Sequence, residues 1–279
     1  MYTAAGHVIK KISTDGVWVL GVTSVDDKLF VLLDRRQKQV AVYSISNCQL
    51  LRHLDLPDVE PRDMTSCAHN KCLYISDPGN SCIQRFDLSS EVSAIMRWIT
   101  SRHISKWLIP RSPHGLSIIP GSCNLLVTCR SPTGKLVELS ADSGQCVREI
   151  RLQAAIKDPH HAVQLTTGQF VLSHGAAYHG IHQVSVVDVE GRVMNSYGGH
   201  RGSDVGQLSW PRRLAVDGDS RFIFVADYCN RRVVLLTPTL EFVRYFSDGL
   251  SRPRRLYLHQ ATRRLFVAES HGFVSVIQL

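Results

Sequence analysis

The stretch that decides the fold runs from Gly206 to Arg232 and reads GQLSWPRRLAVDGDSRFIFVADYCNRR. Pro211 opens an apolar run at 213–216, and the turn residues 217–220 follow it. A second apolar run occupies 222–226, and a third begins at Arg231. Short β-forming segments bounded by Gly, Asp and Asn are typical of antiparallel strands joined by tight turns. The stretch therefore predicts a β-meander.

The same unit recurs along the whole chain. Copies of its second apolar run lie at 29–34, 73–77, 125–129, 170–173 and 265–269. The first strands are opened by Pro61, Pro113, Pro159, Pro211 and Pro253, at spacings of 52, 46, 52 and 42 residues, with Gly16-Val17-Trp18 in place of a proline in the first copy. Such a period, with about four short strands per copy, is typical of a propeller blade. We therefore predict an all-β, six-bladed β-propeller of four-stranded antiparallel blades, with residues 1–279 forming one domain.

Residues 7–13 read as a strand that has no first-strand partner before it. The last copy, from Pro253, has room for only three strands before the chain ends at Leu279. We expect the N-terminal strand to become the outer strand of the last blade, because such closure removes free sheet edges.

The fifth copy resembles the NHL repeat, as found in the propellers of tripartite-motif (TRIM-NHL) proteins. The matching residues, in order and spacing, are Tyr197-Gly198, Gly206-Gln207-Leu208, Pro211, Ala215-Val216-Asp217, Val225-Ala226-Asp227 and Asn230-Arg231. The family usually has Gly two residues after the opening proline. Here those positions hold Asp63, Gly115, His161, Arg213 and Arg255. The resemblance implies a non-enzymatic propeller whose face binds RNA or protein.

Strand parity places the opening loops and the loops between second and third strands on one face, which we call the top. Basic residues gather there, whereas the opposite turns carry mixed charge. Arg and Lys can pair with phosphates while aromatic rings stack on bases. We expect RNA at this face, bound by Arg35, Arg36, Arg62, Trp107, His114, His160, Arg212, Arg213, Tyr228, Arg231, Arg254 and Arg255. For Trp107 the alternative is packing between blades, and a protein-binding scaffold is the alternative function.

Histidines are concentrated around the fourth copy. Imidazole is a common metal ligand, and three converging rings with an open position suit catalytic Zn²⁺. The candidates are His114, His160, His161, His174, His179 and His182. No ordered metal motif, nucleophile elbow, P-loop or GxGxxG occurs. We therefore predict no catalytic residue and no cofactor, and keep a zinc-dependent lyase or hydrolase as a second alternative.

Composition limits the remaining classes. The 279 residues carry a formal net charge of +8, which favours acidic partners. The eight cysteines form no CxxC pair, so a reduced cytoplasmic protein is the simpler interpretation, with scattered disulfides left open. No apolar run approaches the ~18 residues that span a bilayer. We expect a monomeric propeller without membrane insertion, on its own or within a larger chain.

Overall fold

The computed structural model forms six four-stranded antiparallel sheets arranged as the blades of a propeller. It describes residues 6–34, 36–56, 58–88, 104–109, 112–130, 134–175 and 180–279. The innermost strands contact one another in cyclic order, the sixth touching the first. The predicted six-bladed all-β propeller is confirmed, and no helix able to cross a bilayer occurs in the described ranges.

Each blade runs outward from an inner strand beside the central channel. Blade 1 holds β2 (Val19–Val25), β3 (Lys28–Leu33), β4 (Gln39–Ser44) and β5 (Leu50–Asp55). Blade 2 holds β6 (Asp63–Cys67), β7 (Cys72–Asp77), β8 (Cys82–Asp87) and β9 (Ile104–Leu108). Blade 3 holds β10 (Pro113–Ile118), β11 (Leu125–Cys129), β12 (Lys135–Leu139) and β13 (Cys146–Arg151).

The second half of the ring repeats this order. Blade 4 holds β14 (His161–Gln164), β15 (Phe170–His174), β16 (Ile181–Val187) and β17 (Val193–His200). Blade 5 holds β18 (Pro211–Val216), β19 (Ile223–Asp227), β20 (Arg232–Leu236) and β21 (Phe242–Phe246). Blade 6 holds β22 (Pro253–His259), β23 (Arg264–Glu269), β24 (Phe273–Gln278) and the N-terminal strand β1 (His7–Ser13).

Strand β1 closes the ring as the sequence predicted. It pairs antiparallel with β24, from His7 opposite Gln278 to Ser13 opposite Phe273. The two ends of the chain therefore share one sheet, which gives β24 a hydrogen-bonded neighbour on its outer side.

The apolar core lies between blades rather than within one of them. Second strands such as β3, β7 and β19 are buried along nearly their whole length because both of their faces meet a neighbouring sheet. Between blades 1 and 2, for example, Phe30 packs in one cluster with Met64 and Leu73. This sandwiching explains the continuous apolar runs of the sequence repeat.

Buried carboxylates fix the loops at the top of the blades. Asp227, at the end of β19, accepts hydrogen bonds from Ser209 N at 2.6 Å, Asn230 Nδ2 at 2.7 Å and Arg232 Nε at 2.8 Å. Asp77, at the end of β7, accepts from Asn80 Nδ2 at 2.8 Å. These contacts show that Asp77 and Asp227 hold the turns that follow their strands.

Candidate functional site at the channel mouth

The residues that follow the five opening prolines line the upper end of the central channel. β-Bulges occur here in several inner strands, between Pro113 and Gly115, Pro211 and Leu214, and Pro253 and Arg255. A bulge sets two residues opposite one and re-aims a side chain, so consecutive residues can both reach the channel. One small cavity, which we call the mouth, is lined by Arg62, His114, His160, Arg212, Arg213, Arg254 and Arg255.

A second ring lies directly below the mouth, and we call Asp63, His161, Arg213 and Arg255 its floor. Asp63 forms an ion pair with Arg213, lies 3.6 Å from Arg255 Nε and accepts a hydrogen bond from Leu116 N at 2.6 Å. Arg255 also donates to three carbonyl oxygens, those of Leu20, Arg62 at 3.0 Å and Arg254 at 3.2 Å. The floor thus spans four blades and joins them across the channel.

Hydrogen bonds fix the protonation state of His161. Its Nδ1 accepts from Leu214 N at 3.2 Å, so the proton sits on Nε2, which donates to Leu116 O at 3.1 Å. Burial lowers the pKa of His161 to about 4, with a further lowering by Arg255 that the Leu116 carbonyl opposes. His161 is therefore a neutral bridge between blades 3 and 5 at physiological pH.

The mouth above the floor is strongly cationic. Its described lining contains five arginines, two histidines and no acidic side chain. Arg62 Nε donates to His114 Nε2 at 3.1 Å. Burial first, and then neighbouring arginines, hold the pKa of His114 and of His160 well below the usual histidine value. The histidines are neutral, so the positive potential at neutral pH comes from guanidinium groups.

Arg212 shows how crowded this charge is. Burial lowers its pKa to about 10, and the neighbouring Arg254 and Arg62 lower it further in the same direction. It remains charged at neutral pH, yet its environment disfavours that charge. A bound anion would relieve the repulsion, so the mouth is chemically suited to phosphate or carboxylate groups.

Aromatic rings flank the mouth on blades 5 and 1. The guanidinium of Arg212 lies 4.8 Å from the ring centre of Trp210 and 5.4 Å from that of Tyr228. On the other side of the mouth, Arg254 lies 5.3 Å from the ring centre of Trp18. Trp18 is 50 % exposed, so about half of its surface remains accessible to a ligand. We call Trp18, Trp210 and Tyr228 the aromatic strip.

The arginines outside the mouth have separate environments. Arg36 is exposed and shares a depression of about 470 Å³ with Trp18 and Asp34. Arg231 is exposed in the loop after β19, and Arg252 lies 6.0 Å from the ring centre of Tyr228. Arg35 lies outside the described residues. Most of the residues that the sequence predicts to bind RNA at the top face therefore line the mouth.

Three predicted ligand contacts have different surroundings from those expected. Trp107 is 8 % exposed, and the centre of its ring lies 5.5 Å from that of Tyr74. It extends from β9 into the apolar cluster between blades 2 and 3. The alternative of packing between blades is the correct one for Trp107. Arg213 and Arg255 are buried in the floor, where Asp63 pairs with them. They are not surface groups for pairing with a nucleic-acid backbone.

The five candidate metal-binding histidines that the structure describes do not form a ligand set. His161 uses both ring nitrogens, His182 Nδ1 accepts from Trp210 N at 3.1 Å, and His174 Nε2 lies 2.9 Å from Ser185 Oγ. His160 Nε2 donates to Gly175 O at 3.0 Å, and His179 lies outside the described residues. Within the described ranges no three His, Cys, Asp or Glu side chains are placed to hold a metal ion.

Trp18, Trp210, Arg252 and Asp63 are the site residues that sequence reasoning missed. Trp18 and Trp210 precede inner strands, so the parity argument that placed the prolines on the top face applies to them as well. The role of Asp63 had no local signal, because its partners Arg213 and Arg255 are remote in sequence.

Comparison with known proteins supports the fold. No family model matches the sequence, and no curated protein does. A virginiamycin B lyase from Staphylococcus aureus, solved with quinupristin, superposes with a TM-score of 0.64 over 97% of this chain and 98% of that chain, at 10% identity. Kuenenia stuttgartiensis hydrazine synthase gives 0.67 over 96% and 97%, at 14% identity. A streptogramin B lyase gives 0.62 over 98% and 86%, at 12% identity. At such identities the likeness shows a shared propeller architecture.

Proposed function

We propose that this propeller is a binding module that takes single-stranded RNA across its top face. The observation that carries the proposal is the alternation of guanidinium groups and aromatic rings around a mouth lined by five arginines. Backbone phosphates would pair with Arg62, Arg212 and Arg254, and bases would stack on the aromatic strip. Proteins that bind single strands commonly combine a cationic surface with stacking platforms.

Two further points support a nucleic-acid ligand. The net charge of +8 favours attraction of a polyanion over the whole surface. The fifth blade resembles the NHL repeat, and TRIM-NHL faces bind RNA or protein. An exposed tryptophan next to an arginine suits a base more directly than it suits a metal or a small catalytic substrate.

The test is fluorescence anisotropy with a randomised single-stranded RNA pool at low salt. The mouth variant carries Arg62→Gln, Arg212→Gln and Arg254→Gln. The matched control removes three positive charges from the opposite face through Lys28→Gln, Lys71→Gln and Arg221→Gln. We expect the mouth variant to lose at least about tenfold in affinity, because charge-assisted hydrogen bonds are lost, and the control to lose much less.

Two results would contradict the proposal that RNA binds at the mouth. One is the absence of binding by the unmodified protein at low salt, which would direct attention to the protein-scaffold alternative. The other is equal weakening in both variants, which would show that attraction depends on net charge without a defined site.

A further inference from the structure

A pocket beside the mouth is large enough for an organic group. Its volume is about 470 Å³, whereas the mouth encloses only about 10 Å³, which is room for a single water. We call it the side pocket, and its described lining includes Asp15, Trp18, Asp34, Arg36 and Gln37. Sites for small organic ligands usually measure roughly 300–1,000 Å³. A nucleobase therefore fits in the side pocket, while only the rim of the mouth can meet a ligand larger than water.

Two loops form the walls of the side pocket. The first is the turn between β1 and β2, where Val17 N donates to Thr14 O at 2.9 Å and Thr14 Oγ1 donates to Val17 O at 2.6 Å. Thr14 N also donates to Gly272 O at 2.9 Å, which attaches this turn to blade 6. The second is the loop between β3 and β4, where Gln37 N donates to Asp34 O at 2.9 Å. Backbone hydrogen bonds therefore define both walls.

Trp18 supplies a stacking surface between the side pocket and the mouth. It is 50 % exposed, and the guanidinium of Arg254 lies 5.3 Å from its ring centre. Arg254 also lines the mouth, so the two sites adjoin at this contact. Unpaired bases of single-stranded RNA commonly stack on aromatic rings. A nucleotide whose phosphate meets the rim of the mouth can thus place its base on Trp18.

The polar groups of the side pocket discriminate between bases. Asp34 is half-buried and offers a carboxylate, which can accept two hydrogen bonds side by side, whereas Arg36 is exposed and offers a fork of donors. Guanine is the RNA base with two adjacent donors, N1–H and the 2-amino group, and its O6 and N7 acceptors suit a bidentate arginine. Adenine, cytosine and uracil each present one donor group on the corresponding edge. The other carboxylate, Asp15, already accepts from Ser13 Oγ at 3.4 Å.

Charge separates this pocket from a site for phosphate or for a basic peptide. A phosphate in the side pocket would be repelled by the carboxylates of Asp15 and Asp34. A lysine or arginine side chain of a partner would be attracted by them, but the net charge of +8 repels a basic segment as a whole. A neutral base on an anionic strand meets neither obstacle.

We propose that the side pocket binds one guanine base of the RNA strand, stacked on Trp18 with its Watson–Crick edge at Asp34 and its O6 and N7 toward Arg36. The proposal rests on the RNA-binding function proposed above and specifies which base the propeller selects. The mouth attracts the backbone of the strand, and the side pocket distinguishes its sequence.

The experiment measures anisotropy with short oligouridylates that carry guanine, adenine, cytosine or uracil at one central position. We expect the guanine oligonucleotide to bind at least about tenfold more tightly than the other three, because a bidentate contact with a charged group is lost in each of them. Inosine, which lacks the 2-amino group, should lose most of this preference. 7-Deazaguanine, which lacks N7, should lose a smaller part of it.

Three variants separate base selection from general binding. Asp34→Asn should abolish the guanine preference, while the matched control Asp219→Asn, which removes the same charge from an exposed turn of the opposite face, should keep it. The mouth variant (Arg62→Gln, Arg212→Gln, Arg254→Gln) should weaken all four oligonucleotides and retain the order of their affinities. Thermal unfolding of each variant checks that it is folded.

The outcomes for the two proposals are distinct. Equal affinity for all four oligonucleotides would overturn guanine selection and leave RNA binding intact. A guanine preference that persists in Asp34→Asn would overturn the assignment of the side pocket as its site. Binding of a trilysine peptide in place of any oligonucleotide, with loss of that binding in Asp34→Asn, would assign the pocket to a basic peptide and overturn both proposals.

Discussion

The mouth and the floor of the channel are formed by residues that are next to each other in sequence. Arg212 and Arg213 are neighbours, as are Arg254 and Arg255, and all four line one cavity. The second member of each pair is buried against Asp63, and Arg255 is tied further to three carbonyl oxygens. The first member contacts an aromatic ring, Trp210 or Trp18.

This difference shows that the role of an arginine in a repeat protein depends on the groups it contacts. An arginine that pairs with a buried carboxylate stabilises the floor of the propeller. Removing either partner would leave the other charge buried without a counter-ion, which is strongly destabilising. An arginine packed on an exposed aromatic ring among like charges is costly to the fold, and such cost is common at binding sites. Two consecutive residues of one type therefore have different roles.

The largest expected effect comes from breaking the floor. Asp63→Asn keeps the shape of the side chain but leaves Arg213 and Arg255 without their counter-ion, so the free energy of unfolding should fall by about 3–5 kcal/mol. Urea denaturation measures this change. The matched control is Asp158→Asn, because Asp158 pairs with Arg130 at 3.1 Å in a partly exposed site and should contribute only about 0–1 kcal/mol. Equal stabilities for the two variants would show that the floor is not structural.

Two tryptophans sharpen the comparison between structural and ligand-facing residues. Trp107→Ala removes a buried ring and should cost about 3–5 kcal/mol of stability, with RNA affinity of the folded protein unchanged. Trp18→Ala removes an exposed ring and should leave stability within about 0.5 kcal/mol while weakening RNA binding by about 1–3 kcal/mol. Denaturation and anisotropy are measured on both variants. Loss of RNA affinity in Trp107→Ala together with loss of stability in Trp18→Ala would contradict the roles given to these two residues.

The floor should also make stability depend on pH. His161 has a folded pKa of about 4, below the 6.5 of an unfolded histidine, so below pH 6.5 the unfolded chain takes up a proton that the folded chain does not. Its stabilising contribution is complete above pH 6.5 and should fall by about 2 kcal/mol at pH 5. Urea midpoints at pH 7 and pH 5 should therefore differ less in His161→Gln than in the unmodified protein. Identical pH dependence in the two proteins would be contrary to this account.

The smallest expected effect is a gain of stability at the mouth. Burial and the nearby Arg254 and Arg62 lower the pKa of Arg212, so its charge is disfavoured in the folded state. Arg212→Gln should raise the free energy of unfolding by about 1 kcal/mol while RNA affinity falls. The exposed Arg231→Gln is the control and should change stability by less than about 0.5 kcal/mol. A clear loss of stability in Arg212→Gln would show that Arg212 stabilises the fold, as the floor residues do.

Local patterns were enough to predict the blades and the position of the mouth. The opening prolines and the apolar second strands give the repeat, and parity places the residues after Pro61, Pro113, Pro159, Pro211 and Pro253 at one end of the channel. Closure through 7–13 followed from counting strands. These inferences need only the chain order and the alternation of strands.

Contacts between remote residues could not be predicted in the same way. Nothing near Arg213 indicates that Asp63, three blades away, lies opposite it. The burial of Trp107 depends on Tyr74 and on Gly144, where a Cβ atom would approach the indole ring to 2.2 Å. The absence of a side chain at Gly144, with φ of +71°, makes room for the ring. Such complementarity arises from packing across sheets and leaves no periodic mark in the sequence.

The most direct test of the central claim is the salt dependence of RNA binding by three proteins. These are the unmodified chain, the mouth variant (Arg62→Gln, Arg212→Gln, Arg254→Gln) and the opposite-face variant (Lys28→Gln, Lys71→Gln, Arg221→Gln). For single strands each phosphate contact contributes about −0.7 to the slope of log affinity against log salt. We predict a slope shallower by about 2 for the mouth variant and nearly unchanged for the other. Equal slopes in the two variants would contradict the assignment of the mouth as the RNA-binding site.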